Sequence, residues 1–508
     1  MASQQDIDNR LPITGALMLA TLMNTLDSTI ANVALPHIQG SVSAGQDQIT
    51  WVLTSYILAT AVMTPLSGWL SQKFGRKQLF LFSIAGFTLA SILCGIATSL
   101  PEIVLYRLIQ GLAGASLMPL SQATMLDIYP QRMIPRVMSI WSAAVILGPI
   151  AGPTLGGWLT ESLSWRWVFY INVPIGILAF LGIWTFMGHD EGGRERPFDF
   201  LGFGALITFV IAFQVMVDRG PRQDWFDSKE IWIEAALAAA GLWMFIVQTF
   251  TAEHPFFHRD LARDTNFVGT TMFGMFVGVM LFSTSALLPS FMQNLLGYSA
   301  LQSGVASMTR GLGSLIAFLV VPMLIPRLGA RTVLFAGVLL SALALWQMGQ
   351  FDLSMTARPI EIAGFVQGLG TGLLFAPLNT LAYAKLAPIH RTEGTIVATM
   401  ARSLGSSLGI SVVSAILIRD AAAAHSGLSE HITITDPVVR WAMPSVFNLF
   451  SPGGLAAING EVTRQGTMIS YDAVFGALAV ACLLLAPGLL LLRPAPRVPV
   501  GPEELVAD

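Results

Sequence analysis

The residues with most chemical potential in this 508-residue chain are ionisable groups set inside apolar runs. Asp27 lies in LDSTIANVALP (Leu26 to Pro36), within an apolar stretch from Pro12 to Pro36 that is long enough to cross a bilayer. A carboxylate at that depth costs at least ~2.5–3.5 kcal/mol on insertion scales, and intramembrane acids mark ion paths and proton relays. Burial penalises the charged form, so an acid held there is suited to taking up and releasing a proton. The plainer alternative is a protonated acid that only hydrogen-bonds a neighbouring helix.

Arg107 is the natural partner. Asp27 is eight residues before the outer end of the first apolar run, and Arg107 is six residues after Pro101 in the fourth. At ~1.5 Å per helical residue these depths are ~12 and ~9 Å. The two meet if the first and fourth spans pack together; otherwise Arg107 serves backbone carbonyls. A guanidinium does not lose its proton in proteins. Arg310 and Arg402 also fall inside apolar runs, about ten residues into theirs, and should face a cavity or a partner rather than lipid. They suit anionic or weakly acidic ligands, or polar helix contacts.

Several enzyme-like patterns lack their context. GSSLG (Gly405 to Gly409) sits inside an apolar helix rather than on a strand-to-helix turn. GLGTG (Gly368 to Gly372) has no preceding strand. His254 and His258 have Pro255 between them and no HExxH motif or Cys pair, so no metal site is expected. A membrane-embedded hydrolase has no convergent constellation to rest on.

The elements that position these groups follow from composition. Hydrophobic residues make up 54% of the chain and charged residues 11%, against about 25% charged in soluble proteins. The expected class is an all-α polytopic membrane protein. A net charge of −3 leaves no basic footprint for nucleic acid. Cys94 and Cys482 both sit in apolar segments, so no disulfide framework is expected. The start, MASQQDIDNR, does not read as a cleavable signal peptide.

Fourteen candidate spans of roughly 20 residues can be marked. They lie near 13–35, 51–70, 78–98, 102–126, 136–158 and 167–187, then 198–217 and 231–251, then 267–291, 301–325, 332–350, 359–384, 393–417 and 473–492. The even number puts both termini on one side. Connections on that side hold sixteen Lys and Arg, among them Lys73, Arg76, Lys77, Arg194, Arg196 and Lys385; the opposite connections hold eight. The asymmetry makes both termini cytoplasmic.

An internal repeat gives the architecture. RLIQGLAGASLMPL (Arg107 to Leu120) recurs as GFVQGLGTGLLFAPL (Gly364 to Leu378), and FGRK (Phe74 to Lys77) has its counterpart in LGAR (Leu328 to Arg331). Two six-helix halves, 1–190 and 261–508, therefore flank two inserted spans in 191–260. Parallel repeats of this kind place substrate at their interface near the midplane. Asn32, Gln110, Arg310, Arg402, Phe273 and Phe276 become the candidate cavity residues. Phe273 and Phe276, with Met272, Met275 and Met280, suit a promiscuous apolar pocket, although lipid-facing packing also produces such a stripe.

Five stretches in order then carry a resemblance over nearly the whole chain: LDSTIANVALP, GWLSQKFGRK (Gly68 to Lys77), RLIQG (Arg107 to Gly111), GPIAGPTLGGW (Gly148 to Trp158) and WRWVFYINVPIG (Trp165 to Gly176). The chain resembles the fourteen-span drug:proton antiporters of the major facilitator superfamily, most closely their EmrB branch. The resemblance implies two six-helix bundles that rock about a central site and export hydrophobic small molecules in exchange for protons. It implies no cofactor beyond the proton gradient and places the chain in the bacterial inner membrane. A periplasmic adaptor and an outer-membrane channel are the implied partners, docking near a long outer connection at 419–472. A dedicated exporter of one natural compound, such as a fatty acid or siderophore, is the alternative. Gln72 stands where the family usually has Asp, which leaves open how the two halves make a charged contact.

The motifs also have physical readings. Gly68, Lys73, Gly75, Arg76 and Lys77 make a tight cationic turn that anchors topology and is expected to latch helices in one state. Gly148, Gly152 and Gly156 recur every four residues on one helix face and permit close helix approach. Pro149 and Pro153 remove backbone donors there, so the helix can bend. The resemblance makes this seam the one that seals the pathway against leak; simple small-residue packing is the alternative.

Overall fold

The computed structural model describes residues 4–49, 51–188, 197–383, 386–432, 447 and 451–491. Among them thirteen helices are long and apolar enough to cross a membrane. A further long helix, Arg10–Ser41, falls short of that hydropathy because Thr14, Thr21, Asn24, Thr25, Asp27, Ser28, Thr29 and Asn32 lie along it. Its 32 residues still span ~48 Å. The expected fourteen spans are therefore thirteen apolar helices and one polar-faced helix.

We label them α1 (Arg10–Ser41), α2 (Trp51–Phe74), α3 (Arg76–Ile96), α4 (Leu100–Ile128), α5 (Ile134–Ser162), α6 (Asn172–Phe186), α7 (Phe200–Arg219), α8 (Lys229–Thr251), α9 (Thr265–Asn294), α10 (Ala300–Leu328), α11 (Ala330–Met348), α12 (Ala357–Tyr383), α13 (Arg391–Glu430) and α14 (Pro452–Leu484). No strand occurs among the described residues. Side-chain caps begin several helices: Asp199 accepts from Gly202 N, Asp264 from Asn266 N and Phe267 N, and Ser299 forms a capping box with Gln302. The outer shell is apolar, with Phe82, Trp184 and Trp243 more than half exposed. A shell of that kind requires lipid as its solvent.

The repeat is visible in backbone geometry. Gly75 (φ 86°, ψ 151°) ends α2, and Gly329 (φ 83°, ψ 148°) ends α10 in the same conformation. Positive φ is strained for any residue with a Cβ, which explains glycine at both turns. Helices α1–α6 and α9–α14 form two bundles, while α7 and α8 pack against each other beside α2 and α13.

The connection between α13 and α14 is largely helical among its described residues. Much of 419–472 is helix, because α13 runs 40 residues to Glu430 and α14 begins at Pro452, capped by Ser451. At ~1.5 Å per residue α13 spans ~60 Å, twice a ~30 Å hydrocarbon core. The two extensions pair: His425 Nε2 lies 3.1 Å from Asn459 Oδ1, and the missing side chain of Gly466 faces the His425 backbone. The DPVVRW stretch (436–441) lies outside the described residues, as do Arg194, Arg196 and Lys385.

Candidate functional site

Asp27 and Arg107 meet, as their depths allow. Arg107 donates to Asp27 Oδ2 at 2.6 Å, and both side chains are buried. The other carboxylate oxygen accepts from Gln110 Nε2 at 3.0 Å and from Asn172 Nδ2 at 2.8 Å. Arg107 also donates to Gln110 Oε1 at 2.9 Å and to Val52 O at 3.2 Å, and its guanidinium lies 4.1 Å from the centre of the Tyr56 ring. Asn172 is fixed in turn by Ser91 Oγ at 3.0 Å. Five helices, α1, α2, α3, α4 and α6, thus converge on one acid. A buried pair held this way is costly to break from either side; the Asn172 side-chain oxygen alone in the cluster has no partner among the described residues.

This arrangement revises the expected cavity. Gln110 is fully buried and belongs to the Asp27 cluster, not to an open wall. Asn172, within WRWVFYINVPIG, carries no sequence signal for this role, because a single amide on an apolar helix does not show which neighbour it faces. The second bundle lacks this chemistry, since Gly364 stands at the repeat position of Arg107. Asn32 is exposed on α1.

The glycine face of α5 packs on the helix that carries Asp27. A Cβ on Gly148 would strike Thr25, one on Gly152 would strike Thr29 Oγ1, and one on Gly156 would lie 2.9 Å from Ile30 Cγ1. Thr29 Oγ1 donates to Gly148 O at 3.1 Å across the seam. The opposite face of α5 does something else. Pro149 and Pro153, with Ile146 and Ile150, line a shallow open cleft against α9 and α10, where Arg310 lies. One helix therefore touches both the acid's helix and the cleft.

Arg310 is buried, donating to Ser285 Oγ and Leu281 O, each at 3.0 Å. Among the described residues no carboxylate lies within ion-pair distance of it. Two of its five N–H groups point to neutral acceptors, so an anion finds donors remaining. Arg402 lies elsewhere. Its guanidinium sits 5.9 Å from the Trp141 ring of the first bundle and 5.4 Å from Phe375. Phe273 is in the packed core and Phe276 is half-buried against it; neither lines this cleft.

Polar contacts between the bundles gather at the end that holds the α2–α3 turn. Asp127 at the end of α4 takes Arg76 at 2.7 Å and Arg391 of α13 at 3.1 Å. Arg76 also donates to Thr392 Oγ1 at 3.0 Å, and Arg391 to Leu126 O at 2.7 Å. Further in, Tyr383 donates to Gln122 and Asn379 to Ser142, each at 3.5 Å. A Cβ on Gly68 would lie 2.7 Å from Ile396 of α13. The charged contact left open by Gln72 is thus made through Asp127, while Gln72 lines a small pocket with Glu393. Lys73 stays within its own turn, over the rings of Trp69 and Phe74, and Lys77 donates to Met187 O.

A family profile described as Major Facilitator Superfamily matches residues 17–410. The chain is 32% identical to Multidrug export protein EmrB of Haemophilus influenzae over 495 residues, covering 97% of this chain and 96% of that one. It is 33% identical to Fatty acid resistance protein FarB of Neisseria gonorrhoeae over 487 residues, covering 95% and 96%. Its fold matches the crystal structure of the human organic anion transporter MFSD10 with a TM-score of 0.61 at 14% identity, covering 96% and 99%.

Proposed function

This chain belongs to the major facilitator superfamily, among its EmrB-type drug:proton antiporters, and from that premise we propose that it exports hydrophobic small molecules in exchange for protons bound at Asp27. It is a multi-pass membrane transporter, and it works by rocking the α1–α6 and α9–α14 bundles about the cleft between them. The observation that carries this reading is the buried acid held by Arg107, Gln110 and Asn172, one seam away from a cleft on the bundle interface.

The positive-inside asymmetry puts the α2–α3 turn in the cytoplasm. The locked end is then the cytoplasmic one, and the structure corresponds to a state closed inward. Protonation of Asp27 removes its charge and weakens its hold on Arg107. The change reaches the cleft through α5, whose glycine face rests on α1 and whose proline face lines the cleft. One proton per cycle nearly covers the energetics: ~2.3 kcal/mol per charge per 100 mV is close to the ~2.8 kcal/mol of a hundredfold substrate gradient.

Arg310 favours weakly acidic substrates within the hydrophobic class, a reading in keeping with the fatty acid named for one relative. A dedicated exporter of a carboxylate natural product is the second reading on the same observation. The paired extensions of α13 and α14 present a surface for a periplasmic adaptor leading to an outer-membrane channel, with the transporter in the inner membrane. The test is purified protein in proteoliposomes holding a pH indicator, challenged with a panel of hydrophobic acids, neutral compounds and amines. Substrate-dependent proton movement is expected; substrate movement without any proton movement contradicts the reading.

A further inference from the structure

By sequence His254 and His258 have no third ligand beside them and no metal site is expected, but the fold gives His258 other neighbours. His258 and Asp260 open the short helix Arg259–Arg263 ahead of α9, and His390 immediately precedes α13, about 130 residues later. The two imidazole rings lie 4.3 Å apart between centres, tilted by 32°. Asp260 Oδ2 is 3.2 Å from His258 Nδ1 and 3.7 Å from His390 Nε2. The three ligand atoms all lie within 4.8 Å of one another.

These distances have a chemical meaning. Zinc binds imidazole nitrogen and carboxylate oxygen at ~2.0–2.2 Å, which places neighbouring ligand atoms of a tetrahedral site about 3.4 Å apart. The two measured nitrogen–oxygen separations bracket that value. Two histidines with one carboxylate form a borderline donor set that suits zinc and its first-row neighbours rather than calcium or magnesium. Asp260 is more than half exposed, so an ion can enter from solvent. The segment is already fixed in place: His258 N donates to Glu393 Oε2 at 2.9 Å, and Leu261 and Phe267 face Gly394.

We propose that His258, Asp260 and His390 bind one divalent transition-metal ion of the zinc type, at the end of the molecule where the bundles are locked. The ion would fasten the segment before α9 to the start of α13, whose next residue, Arg391, pairs with Asp127.

The experiment is a zinc titration of the full-length protein in detergent, free of any polyhistidine tag, in competition with a chromophoric chelator. Wild type is expected to take up one zinc equivalent, and cobalt in its place is expected to give the visible bands of a tetrahedral site. His258→Gln with His390→Gln should weaken binding at least a hundredfold, while His254→Ala should leave it unchanged. Asp260→Asn, at an exposed position that tolerates the change, should weaken it at least tenfold and carries the test if the double variant does not fold. Uptake by Asp260→Asn equal to wild type, or no uptake by wild type, overturns the proposal.

Discussion

Asp127 of the first bundle and Arg391 of the second lie 3.1 Å apart, and the same carboxylate holds Arg76 at 2.7 Å. A single acid thus ties the α2–α3 turn to both bundles. Asp127 is nearly buried, so removing its charge deprives both Arg76 and Arg391 of their counter-ion.

Asp127→Asn should therefore open the locked end. A cysteine placed at Ser142, buried beside Asn379, should react with a soluble thiol reagent about tenfold faster in the Asp127→Asn background, equivalent to ~1.4 kcal/mol. The native Cys94 and Cys482 are both buried and give a low background. Unchanged labelling would remove the lock from the account.

Gly152→Leu should insert and bind substrate but transport poorly. Its side chain would enter the contact with Thr29 and Ile30, and overpacking of that kind costs ~1–3 kcal/mol. The cost falls unequally on two states that differ in how tightly α5 meets α1, and ~2.8 kcal/mol of bias alters their ratio about a hundredfold. Normal transport by well-expressed Gly152→Leu would show that the seam is ordinary packing.

Arg310→Ala should discriminate among substrates. Export of hydrophobic carboxylic acids should fall ten- to a hundredfold, the ~1.5–3 kcal/mol typical of hydrogen bonds to charged groups, while neutral compounds of similar size should be little affected. Arg310→Lys keeps the charge but loses the planar fork and should restore only part of the activity. Equal losses for acids and neutral compounds would assign Arg310 to structure alone, through Ser285 and Leu281.

Much of the arrangement was legible in the sequence, and the failures have physical reasons. Depth along a helix is one-dimensional, so counting residues brought Asp27 level with Arg107. Azimuth is not readable that way: Gln110 has the right depth for a cavity but faces Asp27, and Asn172 reaches the same acid from α6. The glycine period in α5 announced a close helix contact because only glycine leaves no Cβ, although the identity of the neighbouring helix had to come from the fold. Asp127 and Arg391 are ordinary surface charges by sequence, far apart and without periodicity. In the 419–472 connection the helix boundaries are not readable from hydropathy, because the Ala-rich run after Asp420 continues α13 beyond the apolar span.

The most direct measurement of the central claim concerns Asp27 itself. Asn in its place keeps the shape, and its oxygen can still accept from Arg107, but its amide nitrogen only donates, so the Gln110 and Asn172 amides must turn to meet it; above all it cannot titrate. Proteoliposomes of Asp27→Asn, with an internal pH indicator and an outward-directed substrate gradient, are expected to show no substrate-dependent proton movement, with folding and substrate binding retained. Proton movement at the wild-type rate in Asp27→Asn would contradict the account, since the proton would then be carried elsewhere.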